Sequence, residues 1–295
     1  MLASLRSASG TRRALLVGFL LLIPFTVTGC KFADAIKPEF FWDSIFQPSP
    51  ALINGIGLTV VISIFAQVIG VVLGVFAAMG KMSKIWPIRT AANVYIWLFR
   101  GTPLLVQLMF FYYGFPTAGL FQWPELMIGP IDILPEVLAG TIILGINEGA
   151  YMAEIVRAGI LSVDPGQSEA AKSLGMTYRL TMSRIVLPQA ARVIIPPLGN
   201  EFNNMLKTTS LLTVLSVYEL YNTTSVAAGG NYRYFELFGG AAIWYLAMTT
   251  IWAFIQSRIE RRLARGAAGG DTGPSGPRTP GFASRLMSLK APIEQ

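Results

Sequence analysis

Five long apolar stretches, at roughly 52–79, 91–115, 136–157, 192–217 and 237–257, constrain most of what this chain can become. Each is long enough to cross about 30 Å of hydrocarbon as a helix. Charge is sparse: Asp, Glu, Lys and Arg make up 13% of the residues, against about 25% in a typical soluble domain. The sequence therefore predicts an all-α integral membrane protein with five core transmembrane helices over residues 51–262.

The loops between these stretches orient them. The first carries Lys81, Lys84, Arg89 and Arg100 with no acid, and the second carries Glu125, Asp132 and Glu136 with no base. The third holds Arg157, Lys172, Arg179, Arg184 and Arg192 against Asp164 and Glu169. Glu219, Arg233 and Glu236 occupy the fourth, and Arg258, Arg261, Arg262 and Arg265 follow the last stretch. The positive excess alternates, which predicts an outside start, an inside central loop and an inside C-terminus. The net charge of +7 is thus a topology signal and no nucleic-acid footprint. With one cysteine and no histidine, an intrachain disulfide is impossible and no metal site is predicted.

Residues 1–30 follow the grammar of a secretory signal: Arg6, Arg12 and Arg13 precede the apolar run ALLVGFLLLIPFTV. The run ends at Val27-Thr28-Gly29-Cys30, which resembles a bacterial lipobox and makes Cys30 a lipidation candidate. The alternative is an uncleaved extra hydrophobic helix. Residues 31–50 mix charge, aromatics and proline and read as an external interfacial segment. Residues 266–295 are rich in glycine, proline and serine and read as a disordered cytoplasmic tail.

The polar interruption from Asp164 to Pro188 carries its own helix punctuation. Asp164 can cap a helix begun by Pro165, with Gln167 placed to complete a capping box. Gly175 suits the left-handed residue that stops it. Thr177 can cap a second helix that ends near Leu187-Pro188. The order Glu169-Ala170-Ala171, Gly175, Ile185, Leu187-Pro188 resembles the EAA loop of ATP-binding-cassette (ABC) importer permeases. Three further strings, FRGTPLLVQLMFFYYG (99–114), GAYMAEIVRAGILSVDPGQSEAA (149–171) and LPQAARVIIPPLGNEFNNMLKTTSLLTVLSVYEL (187–220), are similar to the polar amino-acid branch, of the histidine, glutamine and arginine type. Two features depart from it: the lipobox-like start, and Asn147-Glu148 where many relatives carry smaller or neutral residues.

The resemblance implies a type I ABC importer transmembrane domain in a bacterial inner membrane. Residues 164–188 would be a coupling helix docked into a separate ATPase, with Glu169, Ala170, Ala171, Gly175, Leu187 and Pro188 in the coupling surface. It implies an ATPase dimer that binds the ATP and magnesium, a second permease subunit (identical or paralogous), and an extracytoplasmic amino-acid-binding protein. No cofactor is implied in this chain, and the cargo would be a polar amino acid. The sequence agrees on ATP: the nearest string to a phosphate-binding loop, Gly74 to Lys81, has the wrong spacing, Met82 after the lysine, and an apolar setting. No hydrolase constellation is present either.

Ionisable groups inside spans are costly and mark paths or sites. Glu148, beside Asn147, lies mid-span with no local base and is the candidate for a substrate's ammonium or its cationic or amide side chain. Glu154 is one turn from Arg157, and a structural ion pair is its simpler reading. Pro196-Pro197 would bend or break the fourth span. Beyond them Asn200, Asn203, Lys207 and Ser210 share one helical face, and Glu201, Asn204 and Thr208 form the neighbouring stripe. Such a face lines a substrate path or hydrogen-bonds two subunits; in the first case Lys207 would meet a carboxylate. Arg100-Gly101-Thr102-Pro103 reads as a structural helix start. The rivals are an ion-gradient-driven secondary carrier, which would not need residues 164–188; a membrane enzyme, against which the absence of catalytic constellations speaks; and a scaffold, which would not need the polar face.

Overall fold

The computed structural model describes residues 37–129 and 131–268. The signal-like segment with Cys30, and the tail from residue 269 onward, lie outside the described residues. Helix α1 (Pro38–Phe46) leads into α2 (Pro50–Lys81), whose start is set by Pro50 in the first turn and by Ser49 Oγ accepting from Leu52 N at 3.3 Å. Helix α3 (Trp86–Gly101) and α4 (Leu104–Met109) follow, the latter prolonged by a π-turn (Phe110–Gly114) and Phe115–Thr117.

The stretch 91–115 is therefore no single straight span: α3 meets the helix that continues to Thr117 at 106°. Pro103 has no N–H to give and forces the residue before it out of the helical region, so Thr102 is extended (φ −115°, ψ 146°). Arg100 and Gly101 consequently close α3, and the next helix opens only at Leu104.

An antiparallel hairpin, β1 (Leu126–Ile128) with β2 (Ile131–Ile133), departs from the all-α expectation. Helix α5 (Pro135–Leu161) comes next, then the short α6 (Pro165–Ser173) and α7 (Tyr178–Thr181). A π-turn (Met182–Val186) joins α7 directly to α8 (Leu187–Thr208), so the second helix of the polar interruption does not end at Leu187-Pro188. Pro188 falls in the first turn after the π-turn, where the i→i−4 ladder is already interrupted. Nor do Pro196 and Pro197 break the element: both lie within uninterrupted α8. A 3₁₀ turn (Thr209–Leu215), α9 (Leu220–Asn231) and α10 (Tyr234–Ala268) complete the described residues. Among the described residues, α2 and α10 are long and apolar enough to cross a membrane alone, and the bent pair makes a third crossing if it counts as one span.

Packing centres on α2 against α5. They run in the same direction: Gly70 meets Glu148, and Gly74 meets Met152. Both helices present a small-x₃-small pair at this contact, Gly70 with Gly74 and Gly145 with Gly149. In lipid, where burial of apolar surface gives no drive, such pairs let backbones approach and dispersion hold them. Below this seam Ile62, Leu108, Ile143, Leu144, Met205 and Leu212 form the buried core.

The end of the bundle where α9 begins has a polar tie that the sequence does not announce. Glu219, counted only as a loop charge, is fully buried. Its Oε1 accepts from Asn222 N at 2.8 Å as the cap of α9, and its Oε2 accepts from Tyr245 Oη (2.9 Å) and Thr59 Oγ1 (3.3 Å). One carboxylate thereby joins α2, α9 and α10. Helix α1 is clamped to α10 nearby: Trp244 Nε1 donates to Ser44 O (3.1 Å), and Lys37 N donates to Glu236 Oε1 (3.0 Å).

Candidate functional site

The polar interruption folds as a protruding double turn. Asp164 Oδ1 accepts from Gly166 N at 2.8 Å, and Gln167 N donates to Asp164 O at 3.0 Å. The stop is a Schellman arrangement: Met176 N donates to Ala171 O (3.1 Å), and Gly175 N to Lys172 O (2.9 Å), with Gly175 at φ +75°. Thr177 Oγ1 then accepts from Leu180 N (3.4 Å). Glu169 and Ala170 are exposed, whereas Ala171 is buried and fixes the helix to the body. Leu187 and Pro188 are exposed. The most prominent apolar groups are ones the sequence reading passed over, Leu174 (82% exposed) and Tyr178 (74%). The sequence does not single them out, because Met176, Leu180, Met182, Ile185 and Val186 are apolar in the same stretch. Exposed at a protruding turn, Leu174 and Tyr178 have the form of a docking knob.

The second feature is a cavity of about 210 Å³ enclosed by α4, α5 and α8. Its polar lining is Asn147, Glu148, Tyr151, Glu201, Asn204 and Thr208. Glu148 is buried, and its Oε1 has no hydrogen-bond partner among the described residues. No lysine or arginine lines the cavity. Two carboxylates on one cavity without a cation in its lining repel each other and favour a positively charged guest.

Asn147 plays a different part. Its Nδ2 donates to Phe99 O (3.0 Å) and Gln107 Oε1 (2.9 Å). Gln107 Nε2 in turn reaches Phe99 O (2.9 Å) and Thr102 Oγ1 (2.7 Å). Together they satisfy backbone groups left open by the bend at Pro103. The face on α8 divides as well. Glu201, Asn204 and Thr208 line the cavity, but Asn200, Asn203 and Lys207 do not. Asn200 Oδ1 accepts from Gln256 Nε2 (3.2 Å), Asn203 Oδ1 is buried without a partner among the described residues, and Lys207 is exposed.

Glu154 is paired as its neighbours in sequence imply, and with more partners. Arg157 Nη2 stands 3.0 Å from Oε2, Lys81 Nζ binds Oε1, and Arg100 Nη1 lies 3.9 Å from Oε1. Arg100 also covers the Tyr151 ring at 5.3 Å. Three cations from α2, α3 and α5 surround one carboxylate. Tyr151 lines both the cavity with the two carboxylates and a wider one, about 580 Å³, that contains Lys81 and Arg100. The carboxylate pair and a space that holds Lys81 and Arg100 with their partner Glu154 thus share a wall.

Residues 70–265 match the family model described as the binding-protein-dependent transport system inner membrane component. The sequence is 41% identical over 214 residues to the arginine transport system permease protein ArgU of Corynebacterium glutamicum, covering 71% of this chain and 67% of that one. It is 36% identical over 225 residues to the glutamine transport system permease protein GlnP of Escherichia coli, covering 76% and 98%. The L-cystine transport system permease protein TcyB of Bacillus subtilis is 38% identical over 248 residues, covering 84% and 98%. Among solved structures, an amino acid ABC transporter with histidines superposes with a TM-score of 0.65 at 42% identity, over 72% of this chain and 94% of that one.

Proposed function

Because this chain belongs to the binding-protein-dependent transport system inner membrane components, we propose that it passes a polar amino acid, preferentially one with a cationic side chain, through the cavity between Glu148 and Glu201. The chain is the permease subunit of an ABC amino-acid importer. The observation that carries the substrate class is the pair of carboxylates on a cavity with no cation in its lining. A guanidinium or ammonium there gains charge-assisted hydrogen bonds. The substrate's own carboxylate finds Lys81 and Arg100 on the far side of Tyr151.

In this reading α2, the bent α3–α4 pair, α5, α8 and α10 are five crossings of a bacterial inner membrane, starting outside and ending inside. Two permease subunits enclose the path. Each docks one ATPase, which binds the nucleotide and magnesium, through residues 164–188. A binding protein delivers the amino acid at the outer face. The exposed Glu169, Ala170, Leu174 and Tyr178 support the docking role. A self-sufficient ion-gradient carrier has no use for that knob.

The test is uptake by the complete transporter in vesicles, with arginine, lysine, glutamine and histidine in competition. Glu148→Gln should lower selection of the cationic amino acids over glutamine by about tenfold, the equivalent of roughly 1.4 kcal/mol. An unchanged substrate ranking would sink the assignment. Co-purification of an ATPase with the wild-type chain, and its loss with Gly175→Asp, tests the docking half separately.

A further inference from the structure

The last helix changes character along one face without changing direction. Ile251, Phe254 and Ile255 are exposed on it, at 62%, 56% and 43%. One turn further Arg258, Arg261 and Arg262 continue the same face at i, i+3 and i+4, and all three are exposed. The inward face carries Gln256 and Glu260, which bond each other at 2.8 Å. No carboxylate among the described residues pairs with the three arginines. Arg258 lies over the Phe254 ring at 4.3 Å, and Arg261 Nε donates to Ser257 O at 3.0 Å. These contacts fix the stems and leave most guanidinium donors free. Two open hollows adjoin the stripe, of about 410 and 340 Å³, lined by Phe254, Ile255, Ile259 and the three arginines.

Orientation alone needs only a positive excess anywhere in the loop. It does not need three cations on one helical face, in line with an exposed apolar stripe and free of carboxylates. We propose that Arg258, Arg261 and Arg262 form a binding site for the phosphate of an anionic phospholipid, whose acyl chain lies along Ile251, Phe254 and Ile255. Charge complementarity selects the headgroup, and the continuous apolar stripe selects a lipid over a free anion. The site rests on the inside placement of the C-terminus in the functional reading.

The experiment uses the full-length chain in lipid nanodiscs of phosphatidylcholine with increasing phosphatidylglycerol. Phe254→Trp supplies a reporter at the stripe, read as the difference from the parent chain, and brominated lipids of either headgroup are the quenchers. Brominated phosphatidylglycerol should quench at the lower mole fraction. Replacing the three arginines by glutamine should reduce that preference about fivefold per guanidinium, and replacing them by lysine should retain most of it. Equal quenching by the two lipids, or a preference unmoved by the glutamine variants, overturns the site. Inorganic phosphate that abolishes the preference would make it a free-anion site. Glutamine variants that keep the preference but lose a bound ATPase would make the stripe a subunit contact. Protease accessibility of a C-terminal tag in right-side-out vesicles reads the orientation independently, so failure of the topology is distinguishable from failure of the site.

Discussion

Gly70 is pressed against Glu148: a Cβ on Gly70 would stand 2.6 Å from Glu148 Cγ, inside any allowed contact. The carboxylate therefore keeps its place beside the cavity because the opposite helix has no side chain there. Gly70→Ala should shift Glu148 or separate α2 from α5, costing about 1–3 kcal/mol as overpacking does. Uptake should fall together with thermal stability. Gly57 lies on the same helix with nothing within 4 Å of its would-be Cβ, so Gly57→Ala should leave both near wild type. Comparable losses in the two variants would show that α2 responds to lost glycine in general and would remove the positioning role.

The bend between α3 and α4 depends on Asn147 and Gln107. Asn147→Leu removes the donor to Phe99 O and to Gln107 Oε1; Phe99 O keeps Gln107 Nε2, so Gln107 Oε1 is the acceptor left unpaired in a buried place. Such a loss costs about 1–3 kcal/mol. Denaturation in detergent should show the variant destabilised. The double variant with Gln107→Leu should cost less than the sum of the two single changes, because the first change already disrupts the shared network. Strict additivity would mean that the two amides act independently and that something else holds the bend.

Much of this was legible in the chain. Apolar length located α2, α5, α8 and α10, but it joined the bent α3–α4 pair into one span and left out α9; Asp164, Gly175 and Thr177 marked the punctuation of the polar turn, because caps and left-handed stops act through local backbone chemistry. Proline was harder. Pro103 makes a 106° corner, yet Pro196 and Pro197 sit inside a continuous helix. The same residue type ends one helix and is carried inside another, so its effect is not set by its identity alone. The stripe on α8 placed Glu201, Asn204 and Thr208 together correctly, but which stripe faces the cavity depends on α5, far away in sequence. Glu219 was invisible for the same reason: its partners Thr59 and Tyr245 are brought to it only by the fold.

Glu154 gathers Lys81, Arg100 and Arg157, so its removal leaves three like charges close together. Glu154→Gln should destabilise the chain by about 1.5–3 kcal/mol, the range for hydrogen bonds to charged groups. The loss should be larger at low ionic strength, where the repulsion is unscreened. A melting series in detergent at two salt concentrations checks this. Restoring stability with Arg157→Gln in the same chain would confirm that the unbalanced cations are the cause; no recovery would point instead to lost packing.

Gly175 offers the cleanest separation of backbone from contact. It holds φ +75°, and a Cβ there would meet nothing within 4 Å. Within this chain, the effect of Gly175→Ala therefore comes from the left-handed conformation, which costs an L-residue about 1 kcal/mol. That is too little to unfold the chain, but it acts on the turn that aims Leu174 and Tyr178 outward. Gly175→Asn, which tolerates this region better, should lose less than Gly175→Ala, and Gly175→Val should lose most. The readout is ATP hydrolysed per amino acid taken up by the complete transporter, alongside the melting temperature of the permease. The ratio should worsen in the order Asn, Ala, Val while the melting temperature moves little. A melting temperature that fell in step with the ratio would make the turn a stability element, and equal ratios across the three variants would remove it from coupling.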